Sequence, residues 1–357
     1  MSQPSGSRPE IPVVVLAGFL GSGKTTLLNH LLHRSGGSRI GAIVNDFGAI
    51  EIDAMAVAGA LGDSTVSLGN GCLCCAVDVS ELDGYLARLA HPDTGIDVIV
   101  VEASGLAEPQ ELVRMVLASE QPGIVYGGLV EVVDAAEFDD TRARHPEIDR
   151  HLALADLVVV NKFDRAADTE HVLALVHRLV DRAAVVPATY GRIDPEFLFD
   201  CRPAEERIGQ LSFDDLHDDH DHGHGDDHAG HLHSGYDSLS FACGEPLDPR
   251  RLMAFLDSRP EGLYRIKGYV DFGPYDVRNR YAVHAVGRFL RFYPEAWAPG
   301  DARLTQLVLI GSGIDTPALR KELEACRADA DAPHADEAGM WGVLRYVPDP
   351  DEQDPDF

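Results

Sequence analysis

The sequence predicts an α/β fold with a mostly parallel sheet flanked by helices, followed by a smaller α+β domain. Two observations lead to this prediction. In the first half, short apolar runs alternate with stretches of helical periodicity, as expected for parallel strands joined by helices. In the second half, three successive strand-like runs lie between two helical stretches, which is typical of a small α+β layer.

Composition divides the 357 residues into five segments. We predict a polar, disordered N-terminus (1–10), an α/β domain (11–210), a His/Asp-rich linker (211–235), a C-terminal domain (236–328) and an acidic tail (329–357). The linker and the tail are too polar to bury a core, so we expect both to be disordered.

The charge balance argues against some classes of function. Acidic residues outnumber basic ones 59 to 30, and the formal net charge is −29. A nucleic-acid footprint needs a basic face, and an anionic membrane would repel such a surface. The chain also has no apolar run long enough to cross a bilayer and no apolar signal core, so we expect a cytoplasmic protein.

Five apolar runs are the predicted strands of the first domain. They are 11–17, 39–44, 96–101, 129–133 and 156–160, and 80–89 and 170–180 are predicted helices. Ligands of parallel sheets bind at the carboxyl ends of the strands. We therefore expect the motifs that follow these strands to meet in one crevice.

The first strand leads directly into Gly-Phe-Leu-Gly-Ser-Gly-Lys-Thr-Thr, which fits the P-loop pattern. Its expected ligand-binding residues are Gly18, Gly21, Ser22, Gly23, Lys24, Thr25 and Thr26. The glycines let backbone N–H groups surround phosphate oxygens at a helix N-terminus. Lys24 would reach the β- and γ-phosphates from an exposed position, and Thr25 would hold Mg²⁺. The alternative, a glycine-rich turn without a ligand, does not explain the strand and helix on either side.

The third strand runs into Glu102-Ala-Ser-Gly105. An acid that ends an apolar strand near a P-loop is where nucleotide hydrolases hold Mg²⁺ or its water, so Glu102 is a predicted catalytic residue. Gly105 resembles the glycine that senses a γ-phosphate. Many strands end in an acid, so this motif alone is a weak signal, and it indicates a magnesium site only because a P-loop precedes it.

The fifth strand runs into Asn161-Lys162-Phe163-Asp164, which matches the guanine-reading motif of GTPases. The carboxylate of Asp164 would accept hydrogen bonds from guanine N1–H and the 2-amino group. Adenine offers no such pair, and leaving the carboxylate unpaired would cost roughly 1–3 kcal/mol. The pattern therefore disfavours an ATP-using kinase. The alternative is that Asp164 only caps a helix.

Three thiols lie within four residues, at Cys72, Cys74 and Cys75. Such a cluster suits Zn²⁺ or Cu⁺, and it lacks the second cysteine pair of a closed zinc finger. Three ligands with an open position suit a metal ion that is passed on. The alternative is a set of small buried apolar residues.

Together, the motifs at 18–26, 71–75, 102–105 and 161–164 resemble the CobW-type family of P-loop GTPases. These proteins are metallochaperones related to the GTPases that load nickel into urease and hydrogenase. The resemblance covers nearly the whole chain. It implies a switch segment at 44–53, which contains Asn-Asp-Phe-Gly-Ala where the family usually has Asn-Glu-Phe-Gly-Glu. Asp46 keeps a carboxylate that would serve as a fourth metal ligand, whereas Ala49 removes another.

The linker contains seven histidines and five aspartates within residues 217–233. We expect weak binding of Zn²⁺, Ni²⁺ or Co²⁺ by these imidazoles, although the tract is also consistent with a solvated spacer. The histidines are His217, His220, His222, His224, His228, His231 and His233.

The C-terminal domain contains no catalytic constellation that the sequence can identify. Its predicted strands are 238–242, 263–272, 281–286 and 304–310, and its predicted helices are 249–256 and 317–326. Arg265 and Lys267 are candidates for a partner or nucleotide contact, although charges on a strand are usually only solvated.

The sequence thus predicts a GTP-dependent metallochaperone with slow intrinsic hydrolysis, and with GTP, Mg²⁺ and Zn²⁺ as its ligands. Cobalt delivery for cobalamin synthesis, activation of nitrile hydratase, and a metal sensor or store with GTPase activity remain alternatives. The client would be a metalloenzyme, and neither nucleic acid nor membrane is an expected partner. The oligomeric state stays open, a homo-oligomer included.

Overall fold

The computed structural model describes residues 10–44, 65–67, 79–105, 107–200, 236–298, 300–328 and 337–348. The segments predicted to be disordered, 1–10 and the linker 211–235, lie outside these residues except for Glu10, and so does most of the tail.

Seven strands of the described residues form the first sheet. They are β1 (Ile11–Ala17), β2 (Ile40–Val44), β3 (Thr65–Ser67), β4 (Val98–Glu102), β5 (Ile124–Asp134), β6 (Leu157–Asn161) and β7 (Ala184–Pro187). Their order is β3-β2-β4-β1-β5-β6-β7, and every neighbouring pair is parallel. The predicted α/β fold is therefore confirmed, and the sheet is parallel throughout.

Helices cover both faces of this sheet. They are α1 (Lys24–His33), α2 (Val79–Ala90), α3 (Pro109–Leu117), α4 (Phe138–Arg144), α5 (Ile148–Leu154) and α6 (Thr169–Leu179). Strands β2, β4 and β6 are buried along their whole length, as their continuous apolar sequences require. The short elements β3, β7 and α3 to α5 were not predicted. Strands of three or four residues and helices of about two turns show too little hydrophobic periodicity to be recognised in the sequence.

The second sheet is antiparallel and follows the order β11-β10-β9-β12-β8. Its strands are β8 (Asp237–Cys243), β9 (Leu263–Val270), β10 (Asn279–Val286), β11 (Phe289–Ala296) and β12 (Thr305–Gly311). Helices α7 (Pro249–Asp257) and α8 (Thr316–Ala325) share a hydrophobic core with one face of this sheet. This is the predicted α+β domain, with β11 as an additional strand.

One part of the predicted acidic tail is folded. Residues Glu337–Met340 form a 3-10 turn, and Trp341–Leu344 form a short helix, α9. Met340 and Val343 are buried in the core of the second sheet. The apolar sequence of this stretch explains why it packs although its neighbours in sequence are acidic.

The two sheets meet at strand β5. Tyr264 and Val286 of the second sheet belong to the same core cluster as residues of the first sheet. The Tyr264 hydroxyl donates to the carbonyl of Gly127 over 3.2 Å. Ion pairs support this contact, with Lys267 and Arg265 both facing Asp200. The candidate contact face at Arg265 and Lys267 is therefore occupied by the chain's own first domain.

Candidate functional site

The predicted P-loop joins β1 to α1 and wraps around the start of the helix. Gly18 and Gly23 have φ angles of 144° and 103°, which side chains rarely adopt. A Cβ atom on Gly18 would lie 2.3 Å from the carbonyl oxygen of Val132, and one on Gly23 would lie 2.2 Å from Asn161 Nδ2. Only glycine fits at these two positions, where the loop lies against β5 and Asn161.

Lys24 is buried rather than exposed, and only 7% of its surface is accessible. Its ammonium group donates to the carbonyl oxygens of Gly18 and Phe19 over 2.9 and 3.3 Å. The prediction of an exposed lysine was wrong because the loop's own carbonyls satisfy the ammonium group. The side chain nevertheless lies inside the loop, where a phosphate would replace these acceptors.

Thr25 and Glu102 come together although they are far apart in sequence. Strands β1 and β4 are neighbours, and their register places Leu16 opposite Glu102. The Thr25 hydroxyl donates to Glu102 Oε1 over 2.8 Å, and Glu102 is only 5% exposed. A hydroxyl and a carboxylate are hard oxygen ligands, the kind that Mg²⁺ prefers. Gly105 packs against the P-loop at Leu20. A Cβ atom on Gly105 would lie 2.8 Å from the backbone nitrogen of Leu20.

Asn161 ends β6 and is buried, with 1% of its surface exposed. Its Nδ2 donates to the carbonyl of Ser22 over 2.9 Å, and its Oδ1 accepts from the Gly191 N–H over 2.8 Å. The side chain thereby ties the P-loop to the loop after β7. Lys162 has a φ angle of 55° and an ion pair with Asp134 of 2.6 Å.

Asp164 is exposed in the 3-10 turn Phe163–Arg165, which follows Asn161 at the same edge of the sheet. The capping alternative does not apply, because Asp168 caps α6 and accepts from the His171 N–H over 2.9 Å. The carboxylate of Asp164 is therefore accessible to a ligand.

Two cavities border this region. One of about 520 Å³ lies along α1 and is lined by residues that include Thr26, His30, Tyr190 and Arg192. The other, of about 290 Å³, runs between the P-loop and the end of β5. Space for a ligand is thus available on both sides of the loop.

Glu131 and Asp134, both on β5, line the second cavity and were not predicted as site residues. Burial raises the pKa of Glu131 to about 8, and the nearby Lys24 only partly opposes this. The only signal for Glu131 in the sequence is that it is the single acid in an apolar run. That run was interpreted as a strand, and no role was assigned to the acid.

The predicted transition-metal ligands Cys72, Cys74, Cys75 and Asp46 lie outside the described residues, as do the seven histidines of the linker. Within the described part of the chain, no group of three or more metal-ligating side chains is present. In that same part, no helix combines the length and the apolar character that a membrane crossing requires.

Two family models match the chain. The model of the CobW/HypB/UreG nucleotide-binding domain matches residues 12–187, and the model of the cobalamin synthesis protein cobW C-terminal domain matches 236–327. The two matches cover the two sheets except for Ile11, the first residue of β1.

Several characterised proteins are similar to this chain. The zinc chaperone CobW of a Sinorhizobium species is 29% identical, with a match over 91% of this chain and 99% of the relative. The zinc chaperone CobW of Pseudomonas aeruginosa is 31% identical over 91% of this chain and 94% of the relative. The zinc chaperone YjiA of Escherichia coli is 32% identical over 53% of this chain and 61% of the relative. The chain belongs to the CobW/HypB/UreG family and carries the CobW C-terminal domain.

Proposed function

We propose that this protein is a GTP-binding and GTP-hydrolysing metallochaperone that delivers a transition metal, zinc first, to a client metalloenzyme in the cytoplasm. One observation carries the nucleotide part of the proposal. Lys24, Thr25, Glu102 and Asn161 meet at the carboxyl edge of one parallel sheet, although they follow three different strands.

Each of these residues has a distinct proposed role. The P-loop backbone and Lys24 bind and stabilise the phosphates. Thr25 and Glu102 would hold Mg²⁺, which neutralises charge on the transferring phosphoryl group. Asp164 selects guanine, and Asn161 holds the loop after β7 against the P-loop.

The metal part of the proposal rests on the cysteine motif and on the names of the relatives. Cys72, Cys74 and Cys75, with Asp46, bind the cargo ion as thiolates and one carboxylate. This motif lies between the P-loop and Glu102 in sequence, so an ordered γ-phosphate would change its surroundings. Cobalt as cargo, and a metal sensor or store, are the alternatives. A store would not need hydrolysis to raise the metal content of a client.

The proposed guanine selectivity predicts a change of nucleotide when Asp164 becomes Asn. The Asp164→Asn protein should bind GTP about ten- to a hundredfold more weakly, because the amide cannot accept both guanine hydrogen bonds. It should gain affinity for xanthosine triphosphate, whose 2-oxo group accepts from the amide. Fluorescent-nucleotide displacement measures both affinities.

Asp168→Asn is the matched control, since it makes the same change four residues further on and preserves the cap of α6. It should leave GTP affinity unchanged. Equal affinity of the unaltered protein for ATP and GTP would rule out guanine selectivity.

A further inference from the structure

The side chain of Glu131 occupies an unusual position for an acid. It lies on β5 directly opposite Ala17, the last residue before the P-loop. Only 2% of its surface is exposed. Among the residues that the structure describes, none donates a hydrogen bond to its Oε2 atom. Such a group would be costly in its charged form, because burial removes the water that stabilises a carboxylate.

Glu131 borders the cavity of about 290 Å³ behind the P-loop. Ser22, on the P-loop side of this cavity, has a buried hydroxyl that also lacks a partner among the described residues. Two buried polar groups without a hydrogen-bond partner among the described residues therefore line this cavity, one on β5 and one on the P-loop.

The charged groups around this cavity come from every element that encloses it. The P-loop and α1 contribute Lys24, which acts electrostatically on Glu131. The cavity wall adds Asp134 at the end of β5, Arg144 on α4, Glu137 just before α4, and Lys162 after β6. Lys162 and Asp134 already pair with each other. Lys24 is the cation whose charge opposes the rise in the pKa of Glu131, and it is also the cation that a nucleotide needs.

We propose that Glu131 is a proton-accepting positioning residue of the phosphate site: nucleotide phosphates and an ionised Glu131 compete for Lys24, so that binding requires Glu131 to hold a proton. Two negative charges that share one ammonium group in a poorly hydrated site repel each other strongly. Protonated Glu131 leaves Lys24 to the phosphates. The ionised form holds Lys24 back from them.

The sign of the resulting pH dependence follows from linkage. In the empty site the pKa of Glu131 is raised to about 8, so the acid is mostly protonated at neutral pH and ionises above it. Bound phosphates raise this pKa further, so binding takes up a proton wherever the empty site is ionised. Nucleotide affinity should therefore be constant near pH 7 and fall above about pH 8.

The test compares GDP affinity at several pH values between 7 and 9 in the unaltered protein and in Glu131→Gln. The unaltered protein should bind about tenfold more weakly at pH 9 than at pH 7. Glu131→Gln keeps the shape without the charge, so it should bind as well as the unaltered protein at pH 7 and lose this dependence. Val133→Ala enlarges the same cavity without changing charge and should keep it.

An equal pH dependence in Glu131→Gln would overturn the inference, because the titrating group would then be Lys24 or the base. A second measurement does not need the variant. Calorimetric titration with GDP at pH 8.5, in two buffers of different ionisation enthalpy, should show net proton uptake of more than about half a proton. No uptake by the unaltered protein would also overturn it.

The inference rests on the proposed function only in requiring that the P-loop binds nucleoside diphosphates. If ADP binds as well as GDP, guanine selectivity fails while the pH profile with either nucleotide still decides the role of Glu131. If GDP is selected but the profiles of the two proteins coincide, only the role of Glu131 fails. A protein that binds neither nucleotide contradicts both.

Discussion

The amide of Asn161 joins three segments that are distant in sequence. It contacts Ser22, 139 positions away, and Gly191, 30 positions away. The sequence motif predicted that Asn161 belongs to the site, because a polar residue ending an apolar strand is recognisable. Its partners were not predictable, since they depend on which strands are neighbours in the sheet.

The contacts of Lys24 and Glu131 were likewise not predictable from the sequence. The glycine pattern identifies Lys24, but its burial and its contacts with Gly18 and Phe19 depend on the loop's conformation. Glu131 becomes part of the site only because β5 pairs with β1. Charge placement in the site is therefore a property of the sheet order more than of local sequence.

The variant Lys24→Ala tests the role of the Lys24 ammonium group at the phosphate site. Removing one preorganised charge from a phosphate site should lower the GTP hydrolysis rate by about 10²–10³ or more. The fold should persist, since the freed carbonyls can be hydrated, and the loss of stability should stay near about 1 kcal/mol. A malachite-green phosphate assay and thermal unfolding measure the two effects.

Lys267→Ala is the control for Lys24→Ala, because it removes a lysine that pairs with Asp200 away from the P-loop. It should leave the rate unchanged. Hydrolysis near the unaltered rate in Lys24→Ala would contradict the phosphate role.

Strand β5 is the element that connects the two domains with the site. It spans Ile124–Asp134, whereas the sequence predicted only 129–133. The glycine pair in its first half resembles a turn, so the prediction began too late. In the structure these glycines form a bulge, with Tyr126 opposite Val13 and Gly128 opposite Val14.

The second sheet packs against this bulge. Gly128 has a φ angle of 109°, and a Cβ atom there would lie 2.7 Å from Val286 Cγ1 and 2.8 Å from the Tyr264 hydroxyl. The same strand continues to Glu131 and Asp134 at the phosphate site. The contact with the C-terminal domain is thus built into a strand that also forms the site.

Gly128→Ala should therefore destabilise the protein more than a backbone effect explains. Gly123→Ala is the matched control, since Gly123 also has a positive φ angle, 79°, but a Cβ atom there would meet no atom of the described residues within 4 Å. Both variants suffer the backbone cost, and Gly128→Ala should lose about 1–3 kcal/mol more through overpacking. Urea unfolding measures the difference. Equal losses would show that the domain contact adapts freely.

In the whole molecule, the interface between the domains contains buried and half-buried titratable groups. His284 on β10 donates from Nε2 to the carbonyl of Tyr126 over 3.0 Å. Asp156 accepts from the Tyr126 hydroxyl over 2.6 Å and from the Leu129 N–H over 2.9 Å. The contact of His284 was not predicted, because sequence patterns do not indicate which faces of two domains meet. The contacts of Asp156 lie within the first domain and depend on how its strands are arranged.

His284 should make the stability of the protein depend on pH. Burial lowers the pKa of His284 to about 4, from an ordinary value of 6.5. The unfolded chain binds more protons between these values, so stability should fall as the pH drops from about 6.5 towards 4. The loss attributable to this histidine is at most about 3–4 kcal/mol.

His284→Gln keeps a donor for the Tyr126 carbonyl and removes the titration. The difference in unfolding free energy between this variant and the unaltered protein should change across that pH range, because all other groups are common to both. A constant difference from pH 7 to pH 4 would contradict the assignment.

In the proposed function, nucleotide state and metal affinity are coupled. In sequence, the cysteine motif follows the segment that resembles the family's switch and precedes Glu102. A bound γ-phosphate should therefore change the affinity of the proposed thiolate site. Allosteric couplings of this kind commonly amount to about 5–150-fold. The histidine tract would obscure the effect with weak sites, so the measurement should use protein lacking residues 217–233.

The most direct test is a Zn²⁺ competition titration of that protein against a chromophoric chelator, with a non-hydrolysable GTP analogue and with GDP. We predict one tight site in each state, with zinc affinities that differ at least about fivefold between them. The Cys74→Ser, Cys75→Ser double variant should lose the tight site and still bind GTP. A tight site with the same affinity in both nucleotide states would contradict the coupling, and a tight site that survives the double variant would contradict its ligands.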